Sequence, residues 1–266
     1  MYLAKKEIAE ALVEVYEGKL AGIYDKSSET LPKNFASGIK NEYLFGKGED
    51  EHHVVKENDT NFWIDWKSGQ KTGFFLDQRE NRQMLARYCE GKTVLNAFCY
   101  TGAFSLYAMK GGAKVIHSVD SSKRAIDLVK KNFQLNVSVD AGKYEGAHYC
   151  SDVFDFLKNK KDFYDVMILD PPAFAKHHDV RHNAVMGYKR LNTEAFKQIK
   201  PCGIVFTFSC SQVINRDLFE KTVLSAAIIA GRNVRVLHHL SQAPDHPSSI
   251  YHPEGEYLKG LVLYVE

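Results

Sequence analysis

The chain has 266 residues, and 35 Lys and Arg against 33 Asp and Glu leave a formal charge of +2, too balanced to imply a nucleic-acid partner by itself. With 44% hydrophobic and 26% charged residues the composition is that of an ordinary globular chain. It excludes extensive disorder, and no apolar run approaches the ~18 residues of a membrane span.

The first ten residues carry two Lys and two Glu and have no apolar signal-peptide core. The spacing of Ile8, Leu12 and Val15 predicts a helix over 5–16. A polar, turn-rich stretch follows over 25–40. Two β-like runs, 53–57 and 61–66, flank Asn58-Asp59-Thr60 and predict a hairpin. The character of the chain changes near residue 71, so residues 1–70 are expected to form a small β-containing segment and 71–266 the main domain. From residue 92 strands and helices alternate: strands over 93–98, 114–120, about 148–152, 164–170, 203–209, 234–240 and 259–265, and helices over 102–110, 123–135, a short one through 157, then 184–200 and 216–230. Such alternation predicts an α/β fold, a doubly wound, seven-stranded, mostly parallel Rossmann-like sheet. The closing strand pair lacks a helical crossover, so the last strand is expected to run antiparallel. Ligands of such sheets sit at the carboxyl ends of the strands.

Those ends carry the chemistry. The first strand runs into Asn96-Ala97-Phe98-Cys99-Tyr100-Thr101-Gly102, whose one glycine disfavours the G-x-G-x-x-G loop that a pyrophosphate needs. A nucleoside without phosphates relaxes that demand. Asp120 ends the second strand, where a carboxylate accepts both ribose hydroxyls, and Asp152 ends the third, where it would accept from an adenine amine. Capping a helix is the plainer role for either one, but two of them after such a loop favour a nucleoside site. The fourth strand ends in Asp170-Pro171-Pro172-Ala173-Phe174, a rigid exit that aims Asp170 into the crevice. The fifth ends in Phe208-Ser209-Cys210-Ser211, which sets a thiol beside Asp170 if the two strands are neighbours, a fitting place for a nucleophile.

The five cysteines are odd in number and form no C-x-x-C pair, which argues against a disulfide framework and a structural zinc site and for a cytoplasmic chain with reduced thiols. Cys89 and Cys150 read as buried, inert cysteines. Of the eleven histidines, six form the adjacent pairs His52-His53, His177-His178 and His238-His239, and none has partners at ligand spacing, so no metal is expected. The loop 176–182 is cationic and lies just beyond Phe174, where it suits phosphate contacts.

Together these motifs resemble the class I S-adenosylmethionine-dependent methyltransferases, and among them the bacterial RlmI-like 23S ribosomal RNA 5-methylcytosine methyltransferases. The matching stretches are Gly69-Gln70-Lys71-Thr72-Gly73-Phe74-Phe75-Leu76-Asp77-Gln78-Arg79, 96–105, 170–174, Gly187-Tyr188-Lys189 with Asn192, 208–211, Asp245-His246-Pro247, and Pro253-Glu254-Gly255-Glu256-Tyr257-Leu258-Lys259-Gly260. The resemblance implies S-adenosyl-L-methionine as cofactor, surrounded by Gln78, Arg79, Asn96, Phe98, Tyr100, Thr101, Gly102, Asp120, Ser121, Asp152, Val153 and Asp170. It implies Cys210 as the nucleophile, with Asp170 assisting, and an RNA side made of Phe174, Lys176, Tyr188 and Lys189. The expected partner is RNA, ribosomal by the resemblance, with neither membrane nor metal involved. Full-length members of the group begin with an RNA-binding PUA domain that has no counterpart here, so the chain is expected to start inside the β-rich linking region.

Carbon 5 of cytosine is a poor nucleophile, and addition of a thiolate to carbon 6 is what would make it attack a sulfonium methyl. Two other readings stay open. Asp-Pro-Pro-x-Phe also resembles the motif by which amine methyltransferases hold an exocyclic amine of guanine or adenine, which needs no cysteine. A non-catalytic RNA-binding assembly factor on the same fold is the third.

Overall fold

The expected N-terminal helix forms as α1 (Lys5–Tyr16) and ends where Glu17 and Gly18 take left-handed φ values of 42° and 77°. The computed structural model describes residues 2–28, 30–32, 35, 38–48, 53–136, 145–158, 163–174 and 181–266. By internal contacts the chain forms two units, Met1–Val55 with Trp63–Phe75, and Lys56–Phe62 with Leu76–Glu266.

The first unit holds a two-stranded antiparallel sheet of β1 (Gly22–Asp25) and β2 (Glu42–Gly46), which the turn-rich composition of this stretch concealed. Lys5 ties α1 to both strands, with its Nζ 2.8 Å from Asp25 Oδ2 and 2.8 Å from Glu42 Oε1. The strands β3 (His53–Glu57) and β4 (Thr60–Ile64) make the predicted hairpin. Its turn residues Asn58 and Asp59 both have positive φ, 45° and 61°, the geometry of the two-residue turn that matches strand twist.

In the second unit, Lys56–Phe62 is followed along the chain by α2 (Arg79–Ala86), for which the sequence carries no periodic signal. Its buried side chains include Asn81 and Arg82 beside Leu85, so the inward face has no apolar periodicity. The alternating region follows as β5 (Thr93–Ala97), α3 (Ala103–Lys110), β6 (Val115–Asp120), α4 (Lys123–Asn136), β7 (Glu145–Cys150), α5 (Val153–Leu157), β8 (Tyr164–Leu169), α6 (Arg181–Gln198), β9 (Ile199–Ser209), α7 (Arg216–Ala230), β10 (Val234–Leu240) and β11 (Lys259–Val265). These seven strands form one sheet in the order β10-β11-β9-β8-β5-β6-β7. The strands β5 to β9 pair in parallel, and β11 runs antiparallel to both β9 and β10. The expected doubly wound sheet with an antiparallel last strand is therefore the fold.

Burial explains the layering. Val94–Ala97 of β5 and 166–169 of β8 are fully enclosed, as parallel strands covered on both faces must be. Helices α2, α3 and α4 contact one another in series, and α5, α6 and α7 form the other series, whose core includes Tyr188, Leu191, Phe196 and Phe219. Two boundary differences bear on the site. Strand β9 begins at Ile199, directly after α6, and not at 203, so Cys202 lies inside the strand, exposed and with a φ of 63°. Strand β7 ends at Cys150, which frees Asp152 from the sheet.

Candidate active site

Register sets the strand ends side by side: Ala97 pairs with Val119 on one flank and Leu169 on the other, and Leu169 with Thr207. The loops after β6, β5, β8 and β9 therefore share one edge of the sheet. After β5 the chain doubles back through Phe98 and Tyr100, both left-handed at φ 58° and 47°, and Gly102 at 82°. Such conformations are costly for bulky residues and persist where the surroundings enforce them. Here the Cys99 amide donates to the Val119 carbonyl at 3.0 Å, and the Tyr100 amide to Asp120 Oδ2 at 3.0 Å. Asp120 Oδ1 accepts from the Ser122 amide at 2.8 Å, so this carboxylate anchors two loops at once. Each oxygen keeps accepting capacity, since a carboxylate offers about four lone-pair sites. A Cβ on Gly102 would lie 3.0 Å from Val129, which is why the loop approaches α4 without a side chain.

The remaining expected cofactor residues divide. Asn96 is buried, donates to Ser105 Oγ at 2.9 Å, and leaves its Oδ1 without a partner among the described residues. The buried Thr101 gives its carbonyl to Asn132 at 2.8 Å, and the exposed Ser121 gives its own to the Cys150 thiol at 3.5 Å. Cys150 is thus an exposed cysteine, a correction to the buried one expected, because β7 lies at the edge of the sheet. Asp152 caps α5, its Oδ1 accepting from the amides of Phe154 at 2.8 Å and Asp155 at 3.1 Å, while Val153 is buried behind it.

Past β8, Asp170 is half-buried and accepts from Gln78 Nε2 at 3.1 Å. Gln78 is itself buried, and its Oε1 accepts from Asn81 Nδ2 at 2.6 Å. Burial, reinforced by the neighbouring Asp77, raises the Asp170 carboxyl to about 7, against the pull of Gln78 and Arg82. Arg79 meets Asp245 at 2.5 Å and Glu80 at 3.1 Å.

Past β9, Cys210 is partly exposed, between the buried Ser209 and Ser211. The other thiol on this edge, Cys99, is buried and held protonated by that burial, as is Cys89. Tyr188, expected on the RNA side, is fully buried, because α6 packs it against the sheet, and its hydroxyl lies 3.1 Å from Ser211 Oγ. Phe174 crosses its ring edge-on with centroids 4.8 Å apart. Gly187 makes room for it, since a Cβ there would sit 3.0 Å from the Phe174 ring. Lys189 is half-buried on α6, and Lys176 lies outside the described residues.

Three participants were missed. Asp77 is buried and accepts from the Tyr257 hydroxyl at 2.6 Å, with its Oδ1 unpartnered among the described residues. The buried Lys259 donates to the carbonyls of Ser211 and Tyr257, both at 2.7 Å. Asp77 and Tyr257 are 180 positions apart, so no spacing rule could join them. Among the described residues no cluster of three or more His, Cys, Asp or Glu could hold a metal, and no helix is long and apolar enough to cross a membrane.

A tight single-glycine loop, a carboxylate at the end of the next strand and a doubly wound sheet are the parts of a candidate nucleoside site at the carboxyl edge. The family model for S-adenosylmethionine-dependent methyltransferases matches residues 29–252. The chain belongs to that family, and S-adenosylmethionine is its cofactor. It is 42% identical over 260 residues to the ribosomal RNA large subunit methyltransferase I of Aeromonas hydrophila subsp. hydrophila, covering 96% of this chain but 64% of that relative's length. A Streptococcus mutans protein assigned to the S-adenosylmethionine-dependent methyltransferases superposes with a TM-score of 0.82 at 26% identity, over 99% of this chain and 66% of that one. Another methyltransferase-assigned structure, a complex with S-adenosylhomocysteine, gives 0.82 at 27% identity and the same coverage. The residues present fit the cofactor: Asp120 retains lone pairs for ribose hydroxyls, and the loop before it is built without a phosphate cradle.

Proposed function

We propose that the chain methylates carbon 5 of a cytosine in large-subunit ribosomal RNA through a covalent adduct on Cys210. One observation carries this reading: a partly exposed thiol and a proton-holding carboxyl, Cys210 and Asp170, end the neighbouring parallel strands β9 and β8. The name of the Aeromonas relative supports RNA of the large ribosomal subunit as the substrate. Asp120, the 98–102 loop and Gln78 would hold the cofactor, with Asp152 and Arg79 near its ends, and the bound cofactor supplies an electrophilic methyl group. Cys210 as thiolate adds to carbon 6, and the electron pair of the carbon 5–carbon 6 bond becomes the nucleophile at carbon 5. Asp170, protonated near neutrality, donates to the ring nitrogen as charge builds there. Transfer of the carbon 5 proton to a base, departure of the thiolate and return of the ring-nitrogen proton to Asp170 restore the ring. Phe174 and Lys189 face the RNA in this reading, and residues 1–70 contribute to holding it.

RNA carrying 5-fluorocytidine at the target tests this, because fluorine replaces the proton that must leave. The native chain should form a protein–RNA adduct stable to denaturing electrophoresis. Cys210→Ala should form none and lose nearly all methylation while still binding cofactor, and Cys202→Ala should keep both. Robust methylation by Cys210→Ala would move the reading to an exocyclic amine.

A further inference from the structure

Lys259 is a buried charge with no task in the reaction just described. It is 3% exposed and sits opposite Ser209 in the β9–β11 pairing, one strand over from the segment that carries the thiol. The next residue, Gly260, lies under the Phe208 ring, where a Cβ would come within 2.6 Å, so β11 passes close against the end of β9. Two of the three ammonium donors of Lys259 are spent on the carbonyls of Ser211 and Tyr257, both 2.7 Å away. Neither carbonyl carries charge, and removing an ammonium from water is costly unless an anion faces it.

The charged and titratable groups around the pair are few. Cys210 acts on Lys259 first, then Glu256, whose carboxylate is engaged by Arg216 at 2.8 Å, and then Arg216 itself. The Tyr188 phenol on α6, 3.1 Å from Ser211 Oγ, and the Tyr257 phenol on the loop before β11, bonded to Asp77, both feel the charge of Cys210. Burial holds both phenols neutral, and Tyr257 is further held so by Asp77. Burial pushes the Lys259 ammonium down to about 8, and a negative Cys210 sulfur draws it back up. The interaction is mutual, so an ammonium here favours the thiolate of Cys210.

We propose that Lys259 is a positioning residue for catalysis, its ammonium clamped by the Ser211 and Tyr257 carbonyls so that Cys210 rests as a thiolate. The thiol proton leaves to solvent, the ammonium keeps its three protons, and the sulfur carries the charge it will share with carbon 6. When the thiolate departs from the methylated base, the same ion pair is restored. The chemistry of this role rests on the covalent reading above, but the state of the thiol is measurable without RNA.

The test is the pH dependence of Cys210 alkylation by iodoacetamide, read by peptide mass on the full chain carrying Cys202→Ser. In the otherwise native chain the midpoint should lie below the ~8.5 of an ordinary thiol. Lys259→Met should raise it and slow alkylation at pH 7 about tenfold, as a one-unit shift requires. Lys259→Arg should keep the low midpoint, which a merely structural role would not demand. A native midpoint at or above the ordinary value overturns the proposal whether or not Lys259→Met folds, and so does an unmoved midpoint in a folded Lys259→Met. An ordinary thiol that still forms the 5-fluorocytidine adduct would remove only the role of Lys259. A depressed thiol in a chain whose Cys210→Ala variant still methylates would remove only covalent catalysis.

Discussion

Asp170 keeps a proton that the unfolded chain gives up, because burial and Asp77 hold its carboxyl up to about 7. Between the usual carboxylate range and pH 7 the folded state therefore binds the extra proton, so the contribution of this group to stability falls as pH rises and levels off above about 7. Lys259 has the opposite sign: its folded ammonium titrates at about 8, below the unfolded value, so its contribution rises with pH from about 8 upward. Asp170→Asn should remove the fall in thermal midpoint that this group causes as pH rises from the usual carboxylate range to about 7. In kcat/KM profiles the native chain should lose activity as pH passes about 7, where the donor is deprotonated. Asp170→Asn should lack that limb and fall about a hundredfold or more at its best pH, the usual worth of a placed proton donor. A descending limb that survives in Asp170→Asn would assign it to another group.

Helix α6 illustrates how an element serves the site through its interior. A glycine inside a helix costs about 1 kcal/mol against alanine, so Gly187 sits at a position where helix propensity opposes it. Its use is steric: the Phe174 ring lies where a Cβ would be, 3.0 Å away, and rests edge-on against Tyr188, whose hydroxyl reaches Ser211 beside Cys210. Gly187→Val should displace Phe174 and lower kcat/KM for RNA about ten- to a hundredfold, the scale set by small misplacements near reacting groups. Cofactor affinity by calorimetry should stay unchanged, since Asp120 and the 98–102 loop hang from other strands. An equal loss of cofactor affinity would show that the substitution disturbs the whole sheet edge. Elements with regular apolar spacing, such as β5 and β8, were plain in the sequence because both faces are buried. Helix α2 was not, because Asn81 and Arg82 turn inward and their partners lie far along the chain.

Arg82 and Glu57 are a buried ion pair within the second unit, with side chains 2% and 6% exposed. The contact is bidentate, 2.9 Å from Nε to Oε1 and 2.7 Å from Nη2 to Oε2, and Tyr107 donates to Glu57 Oε1 at 3.1 Å. Asn58, in the hairpin turn, donates in turn to the Tyr107 hydroxyl at 3.1 Å. Removing one partner strands the other charge, so Arg82→Met should destabilise the chain by about 3–5 kcal/mol in denaturant unfolding. The double variant Arg82→Met with Glu57→Gln should recover part of that loss. A double variant as unstable as the single one would mean that lost packing, not an orphaned charge, dominates.

The sequence by itself determined the alternation of strands and helices from residue 93 onward, the antiparallel last strand and the hairpin turn, because these follow from local periodicity and from which residues tolerate left-handed backbone. It also placed Asp120, Asp170 and Cys210 at strand ends, since a doubly wound sheet brings every carboxyl end to one edge. Only the tertiary structure decided what surrounds them. Tyr188 is a buried support rather than an exposed RNA contact, Asp152 caps α5, and Asp77, Tyr257 and Lys259 enter from distant segments. Hydrogen bonds across 92 to 180 positions join Gln78 to Asp170 and Tyr257 to Asp77. No pattern of neighbours encodes such pairs, because burial and partnership arise only when the sheet closes around them.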